Sequence, residues 1–310
     1  MLTSSADLQP HLTWNLVEDV RQVLEFPFMV NAFRAGAVVA VLAGLVGWFM
    51  VLRRQTFAGH TLALVGFPGA AGAVLVGVSA SYGLFAFAVA AALVIALVPP
   101  GGRGDGESSA VTGTVQAFAL ACGFLFVNLY GGFLGGANAL LFGSFLGITG
   151  QQVVVLLVVA AVALAVLGAI ARPLLFASVD PDVAAARGVP VHALSAIFLV
   201  LLGVAAAEVS QITGTLLVFA LLVVPAATAQ ASTPRPVAGA VLTVALGLAV
   251  TWASLFVAYY SPYPIGFLLT SLAFATYLLA GAWRRLRSGR NRDRGQYSPP
   301  HQDAATETAS

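Results

Sequence analysis

The chain has 310 residues, of which 59% are hydrophobic and 8% are charged, whereas roughly 25% of the residues of a soluble domain carry a charge. The mean hydropathy is +0.94. These values exclude an ordinary soluble domain, a disordered chain and a nucleic-acid-binding module.

The charged residues gather at the two ends of the chain, and more than half of them lie in residues 1–34 and 284–310. Between these ends, uncharged stretches of about 20 residues follow one another, each long enough to cross the ~30 Å hydrocarbon core of a bilayer. The N-terminal part has no basic region ahead of a short apolar core, so we do not expect a cleavable signal peptide. The pattern predicts an all-α, polytopic bundle of transmembrane helices.

Nine spans are predicted, at about residues 30–52, 56–78, 82–98, 111–130, 151–171, 191–208, 212–230, 236–258 and 264–283. Residues 131–150 hold glycines at four-residue spacing, which lets helix backbones approach closely. This stretch predicts a re-entrant or short packed helix and keeps a count of eight spans open. The chain then divides into an extracellular polar and interfacial segment (1–27), a transmembrane domain (28–283) and a cytoplasmic, disordered basic tail (284–310).

Arginine placement predicts the orientation of the bundle in the plasma membrane. If the C-terminal tail is cytoplasmic, the alternate loops on its side carry all the loop arginines, namely Arg53, Arg54, Arg103, Arg172, Arg187 and Arg235. Cytoplasmic loops carry an excess of basic residues, so the C-terminus is predicted inside and the N-terminus outside. Arg21 and Arg34 are exceptions on the outer side.

The residue types available for chemistry are few. The sequence contains no lysine, and a phosphate-binding P-loop needs one to reach the β- and γ-phosphates. Its single cysteine, Cys122, permits no internal disulfide and no thiolate cluster. No paired carboxylates and no protease or hydrolase motif occur within a span. These features predict a transport protein without a cofactor of its own rather than an enzyme.

Two predicted spans contain proline followed by small residues, Pro68 with Gly69 in the second and Pro225 in the seventh. Proline removes a helix hydrogen bond and favours a kink, and broken helices in transporters line the transport path. We therefore predict a translocation path that includes Pro68, Gly69, Pro225 and Gln211. A structural kink without substrate contact is the alternative.

The loop between the fifth and sixth spans predicts a short helix on the cytoplasmic surface. Asp180 suits the N-cap and Pro181 suits the first helical position. Alanines follow, and Gly188 suits the residue that ends a helix. A permease driven by a separate ATPase needs such a rigid element to receive motion from it.

Four runs of sequence resemble the permeases of metal-type (manganese, zinc and iron) ABC importers, and they lie in residues 28–59, 140–144, 180–191 and 214–229. The resemblance covers about residues 27–283. It implies a homodimer, cytoplasmic ATP-binding cassette subunits, an extracellular metal-binding lipoprotein and a divalent metal as substrate. It also implies that contact with the ATPase falls on Asp180, Pro181, Asp182, Ala184 and Gly188.

The chain departs from this family near the start of the second span. The family carries an Asp-x-x-Ser-His run there, whereas this chain has His60, Ala63 and Leu64 at those positions. Position 64 lies about 15 Å from the cytoplasmic surface at 1.5 Å per residue, at the midplane where transporter sites lie. Leucine cannot bind a metal. His60 is thus either a displaced metal ligand or a helix-end histidine bonded to a backbone carbonyl.

Glu208 and Gln211 are predicted between spans six and seven, on the extracellular side. A carboxylate near the membrane is costly unless it is solvated or paired, so Glu208 is either a solvated loop acid or a metal ligand at the mouth of the path. Three alternatives to a metal-ion permease remain open: an ABC permease for a siderophore or corrinoid, a self-contained channel or carrier, and a scaffold that has lost transport.

Overall fold

A computed structural model describes residues 15–97, 105–130, 147–215 and 217–295. All the regular elements in these ranges are α-helices, in agreement with the predicted fold class. In chain order they are α1 (Leu16–Leu24), α2 (Pro27–Leu52), α3 (Thr56–Leu75), α4 (Ala80–Leu97), α5 (Asp105–Tyr130), α6 (Gly150–Val179), α7 (Pro181–Ala186), α8 (Val191–Thr213), α9 (Val218–Ser232), α10 (Pro236–Tyr260) and α11 (Ile265–Gly295).

Within the described residues, 8 helices are long and apolar enough to cross a membrane. They are α2 to α6, α8, α10 and α11. The remaining apolar helix, α9, has 15 residues and a length of roughly 22 Å at 1.5 Å per residue. It corresponds to the predicted seventh span but is shorter than the hydrocarbon core, so the choice between eight and nine spans stays a prediction, as does the orientation.

The boundary between α8 and α9 differs from the prediction. Helix α8 continues to Thr213 and stops at Gly214, whose φ of 75° suits glycine. The polar residues before this point do not break the helix, because their hydroxyls bond within it. Ser210 Oγ donates to the Ala206 carbonyl at 2.7 Å, and Thr213 Oγ1 donates to the Val209 carbonyl at 3.0 Å.

Helix α2 lies at the centre of the bundle and contacts α6, α8, α9 and α10, while α3 packs against α4, α5 and α8. Glycines allow backbones to meet at several of these crossings. A Cβ atom on Gly47 would overlap the Leu222 carbonyl of α9, and Gly69 of α3 meets Gly83 of α4 backbone to backbone. Closely similar contacts join Gly203 of α8 to Ala88 of α4, and Gly44 of α2 to Val244 of α10.

One end of the bundle, which we call the arginine end, gathers the α2–α3 turn, the end of α6, α7 and the start of α8. Gln230 near the end of α9 also reaches it, since its Nε2 donates to the Trp48 carbonyl at 2.7 Å. At the opposite end, Asn31 Nδ2 donates to the Ile148 carbonyl at 3.2 Å, and Tyr260 Oη donates to the Asp19 carbonyl at 2.9 Å.

The two terminal segments hold more helix than the sequence predicts. Helix α1 lies within the predicted polar segment, with Asn15 as its N-cap. Helix α11 continues to Gly295, past the predicted start of the disordered tail, because arginine and leucine after Trp283 are good helix formers. Residues 1–14 and 296–310 lie outside the described residues, and so do the Gly-rich residues 131–146 and Arg103.

Candidate transport path and coupling helix

The short helix predicted on the loop between spans five and six is confirmed as α7. Asp180 Oδ1 accepts a hydrogen bond from the backbone N–H of Val183 at 3.0 Å, and Pro181 occupies the first helical turn. At the other end, Gly188 has a φ of 81°. Its N–H donates to the Ala185 carbonyl, and the Val189 N–H donates to the Ala184 carbonyl, which is a Schellman stop.

Helix α7 stands out from the bundle with most of its surface exposed. Among its residues, Ala184 is fully buried and anchors the helix, while Asp182 and Ala185 are exposed. A groove of about 570 Å³ runs between α7 and the start of α8, lined by Pro181, Asp182, Ala185, Val189, Pro190 and His192, among others. This surface is mostly apolar with one carboxylate, so another protein could bind in it.

Arg53, one of the arginines predicted on the cytoplasmic side, lies close to the N-cap of α7 in the arginine end. Its Nη1 donates to Ser178 Oγ at 3.1 Å and its Nη2 donates to Ser195 Oγ at 2.5 Å. The guanidinium also lies 5.5 Å from the centre of the Phe198 ring. Burial lowers the pKa of Arg53 from its usual value. The sequence carries no local sign of these contacts, because they join residues far apart along the chain.

Glu208 does not lie in a solvated loop, and that alternative is wrong. It sits inside α8 with a side-chain exposure of 0%. Neither of its carboxylate oxygens has a hydrogen-bond partner among the described residues, and the same holds for Nε2 of Gln211. Glu208 and Gln211 are three positions apart, so both side chains project from one face of α8. A buried charged group without a partner is costly, which marks this face as a functional candidate.

Gln211 opens onto a cavity of about 150 Å³ between the start of α6 and the end of α8. Its other lining residues are Gly147, Ile148, Gln152, Leu156 and Ile212. The cavity lies at the end of the bundle opposite the arginine end. A water occupies about 30 Å³ in the liquid, so the space holds several waters or a partly hydrated ion. Glu208 lies one helical turn deeper than Gln211.

Depth along the bundle can be compared between α3 and α8, because the two helices run in the same direction. A Cβ atom on Gly59 would lie 3.7 Å from Leu202, and one on Gly66 would lie 3.7 Å from Ser210 Oγ. Residue 64 is therefore level with Glu208. Leu64 of α3, at the position where the similar family carries a histidine, and the buried carboxylate of α8 therefore lie at the same depth in the bundle.

His60 occupies the first turns of α3, nearer the arginine end than Glu208. It is half-buried, and its ring contacts Phe219 of α9 edge-on, with centroids 5.3 Å apart. No group of three or more His, Cys, Asp or Glu side chains that could hold a metal occurs in the described residues. The structure does not bring His60 and Glu208 together into one site.

The predicted path prolines lie inside intact helices. Pro68 is buried in α3, 3.1 Å from the position that a Cβ atom on Gly123 of α5 would take, and Gly69 packs on α4. Pro225 is buried in α9. These positions neither establish nor exclude contact with a substrate, so the role of Pro68, Gly69 and Pro225 in the path remains a prediction.

A bundle of apolar helices with a capped surface helix at one end and a buried polar face within defines a multi-pass transport protein of the plasma membrane. The chain belongs to the ABC 3 transport family, which matches residues 25–284. The resemblance to metal-type ABC permeases is thereby confirmed.

Known relatives extend along most of the chain. The manganese transport system membrane protein MntC of Halalkalibacterium halodurans is 29% identical over 221 residues, which cover 71% of this chain and 75% of MntC. The chelated iron transport system membrane protein YfeC of Yersinia pestis is 26% identical over 265 residues, covering 86% and 89% of the two chains. The solved structure of PsaBC from Streptococcus pneumoniae in complex with Fab superposes with a TM-score of 0.75 at 25% identity, covering 86% of this chain and 95% of that one.

Proposed function

We propose that this chain is the permease subunit of an ATP-driven ABC importer for divalent metal ions of the manganese, zinc and iron class. The observation that carries the proposal is α7, a capped helix that projects from the arginine end beside a groove in which another protein could bind. The sequence contains no lysine and so lacks a P-loop for ATP. An ATP-binding cassette subunit that docks on α7 supplies the missing hydrolysis.

The proposed route begins at the cavity opposite the arginine end. A metal delivered there by an extracellular metal-binding lipoprotein passes Gln211, whose side-chain oxygen can replace part of its hydration shell. It then meets the Glu208 carboxylate at the depth of residue 64. A bound cation would give the two carboxylate oxygens the partner that they otherwise lack.

The donor types on this route favour some metals over others. Carboxylate and amide oxygens suit manganese and other hard ions, whereas zinc and copper prefer imidazole or thiolate. His60 would be a later ligand, nearer the cytoplasm. MntC is named for manganese, in agreement with this preference. A second permease copy completes the path in this proposal, as the family resemblance implies.

Transport measurements in vesicles test the proposal. The chain reconstituted with its ATP-binding cassette subunit should accumulate manganese only when ATP is supplied, and the chain alone should not. Equal ion flux without the ATPase subunit would contradict the proposal and indicate a self-contained channel or carrier. Copurification of the two subunits provides an independent check.

A permease for a metal chelate is the second candidate, because YfeC is named for chelated iron. The outer cavity of about 150 Å³ is below the 300–1,000 Å³ typical of pockets for drug-sized ligands, which favours a bare or partly hydrated ion. Competition between free manganese and iron siderophores during uptake separates the two. Inhibition by the chelate alone would favour the second candidate.

A further inference from the structure

Arg53 joins α2 to α6 and α8, the two helices that precede and follow α7 in the chain. It ends α2, and its guanidinium reaches Ser178, two residues before the N-cap of α7, and Ser195, in the second turn of α8. The sequence separations are 125 and 142 residues. One side chain therefore bridges the two flanks of α7 and fixes both of them to the central helix.

A helix of 6 residues does not hold its own position, since isolated helices of that length are not stable in water. The position of α7 is set by Ala184, which is buried, and by the ends of α6 and α8 that hold it. Those ends are in turn held by Arg53. A displacement of α7 that is passed to the ends of α6 and α8 therefore either carries Arg53 and α2 with it or breaks the two hydrogen bonds.

The neighbouring arginine shows that charge alone does not explain Arg53. Arg54 is exposed and has a φ of 56°, as the turn between α2 and α3 requires. Arg53 instead turns inward, and its planar group bonds two hydroxyls while lying near the Phe198 ring. A lysine keeps the charge but presents a compact ammonium that cannot reproduce this planar geometry.

We propose that Arg53 is a positioning residue that transmits the movement of α7 to α2 during the ATPase cycle. This inference rests on the proposed function, in which an ATPase subunit moves α7. Helix α2 contacts α6, α8, α9 and α10, so movement that reaches it is passed to most of the bundle. Loss of the link would leave ATP hydrolysis running without transport.

The test uses two variants of the reconstituted permease–ATPase complex: Arg53→Lys, and a double variant that combines Ser178→Ala and Ser195→Ala. Arg54→Lys in the same complex is the control. Copurification of the ATPase subunit and ATP hydrolysis should stay within about twofold of wild type, while manganese transported per ATP falls at least fivefold in the first two. The control should match wild type. Wild-type coupling in Arg53→Lys, or a parallel loss of assembly, hydrolysis and transport, would overturn the proposal, because a merely structural role lowers all three together.

A second measurement separates failure of this inference from failure of the proposed function. Spin labels at Ala186→Cys on α7 and Leu52→Cys at the end of α2, in a Cys122→Ala background, report the distance across the link. In the complex with Arg53 intact, ATP should leave the distance distribution unchanged. In Arg53→Lys, ATP should shift or broaden it. An identical response in both proteins would overturn the link alone, whereas absence of ATP-driven metal uptake by the wild-type complex would overturn the proposed function on which the link rests.

Discussion

Replacing Glu208 by leucine should make the protein more stable and less active. Both carboxylate oxygens are fully buried without partners in the described residues, and a buried polar group left unpaired costs about 1–3 kcal/mol, or more when charged. Leucine has a similar size and removes that cost. We expect the free energy of unfolding to rise by about 2 kcal/mol, which corresponds to a Tm increase on the order of 5 °C.

The assay is thermal unfolding of the purified permease in nanodiscs, with and without manganese. Wild type should gain Tm when manganese is added, because a ligand that binds only the folded state stabilises it, and Glu208→Leu should show no such gain. Manganese uptake by the reconstituted complex should fall at least tenfold, equivalent to about 1.4 kcal/mol. Ser210→Ala is the control, since that hydroxyl bonds only within its own helix. A lower Tm together with wild-type uptake would refute the reasoning.

Three further predictions concern α7, α3 and the α2–α9 contact. Asp180→Arg should abolish copurification of the ATPase subunit, because it removes an N-cap contribution of about 1 kcal/mol and reverses the charge, whereas Asp180→Asn keeps the cap and should copurify at a wild-type level. His60→Ala should slow metal uptake severalfold in vesicles, and a normal rate would leave His60 with a structural role only. Gly47→Val should cost about 1–3 kcal/mol or more and reduce the yield of folded protein in size-exclusion chromatography, because its side chain would overlap the Leu222 carbonyl. Gly168→Ala, with open space around the new Cβ atom, should leave that yield unchanged.

Local signals in the sequence predict the helical fold and α7 well. The long apolar stretches predict where most of the spanning helices lie, and the Asp180–Pro181 pair with Gly188 predicts both ends of α7, because caps act within a few residues. The end of α8 is predicted five residues too early. The run with Glu208, Ser210 and Gln211 has the composition of a loop. The helix continues through it, because the hydroxyls bond to carbonyls of the same helix. The burial of the carboxylate depends on the surrounding helices.

The contacts of Arg53 and the depth of Glu208 could not be predicted for a related reason. Each depends on which helices become neighbours, and the sequence carries no local mark of that choice. The resemblance to a permease family directs attention to positions 60 and 64 of α3, while the buried carboxylate at the same depth belongs to α8. Pairing between distant segments appears only when the helices are assembled.

The glycine contacts divide the bundle into two slabs that are each stiff. One slab contains α3, α4 and α8, and the other contains α2, α9 and α10, since in each the backbones touch with no side chain between them. Packed layers of this kind slide past one another more readily than they deform. Two side-chain contacts cross the seam between the slabs. The His60 ring of α3 contacts the Phe219 ring of α9, and the Arg53 guanidinium at the end of α2 lies near the Phe198 ring of α8. In the proposed import cycle, a small molecule bound in that seam should block transport without competing for either the metal or ATP.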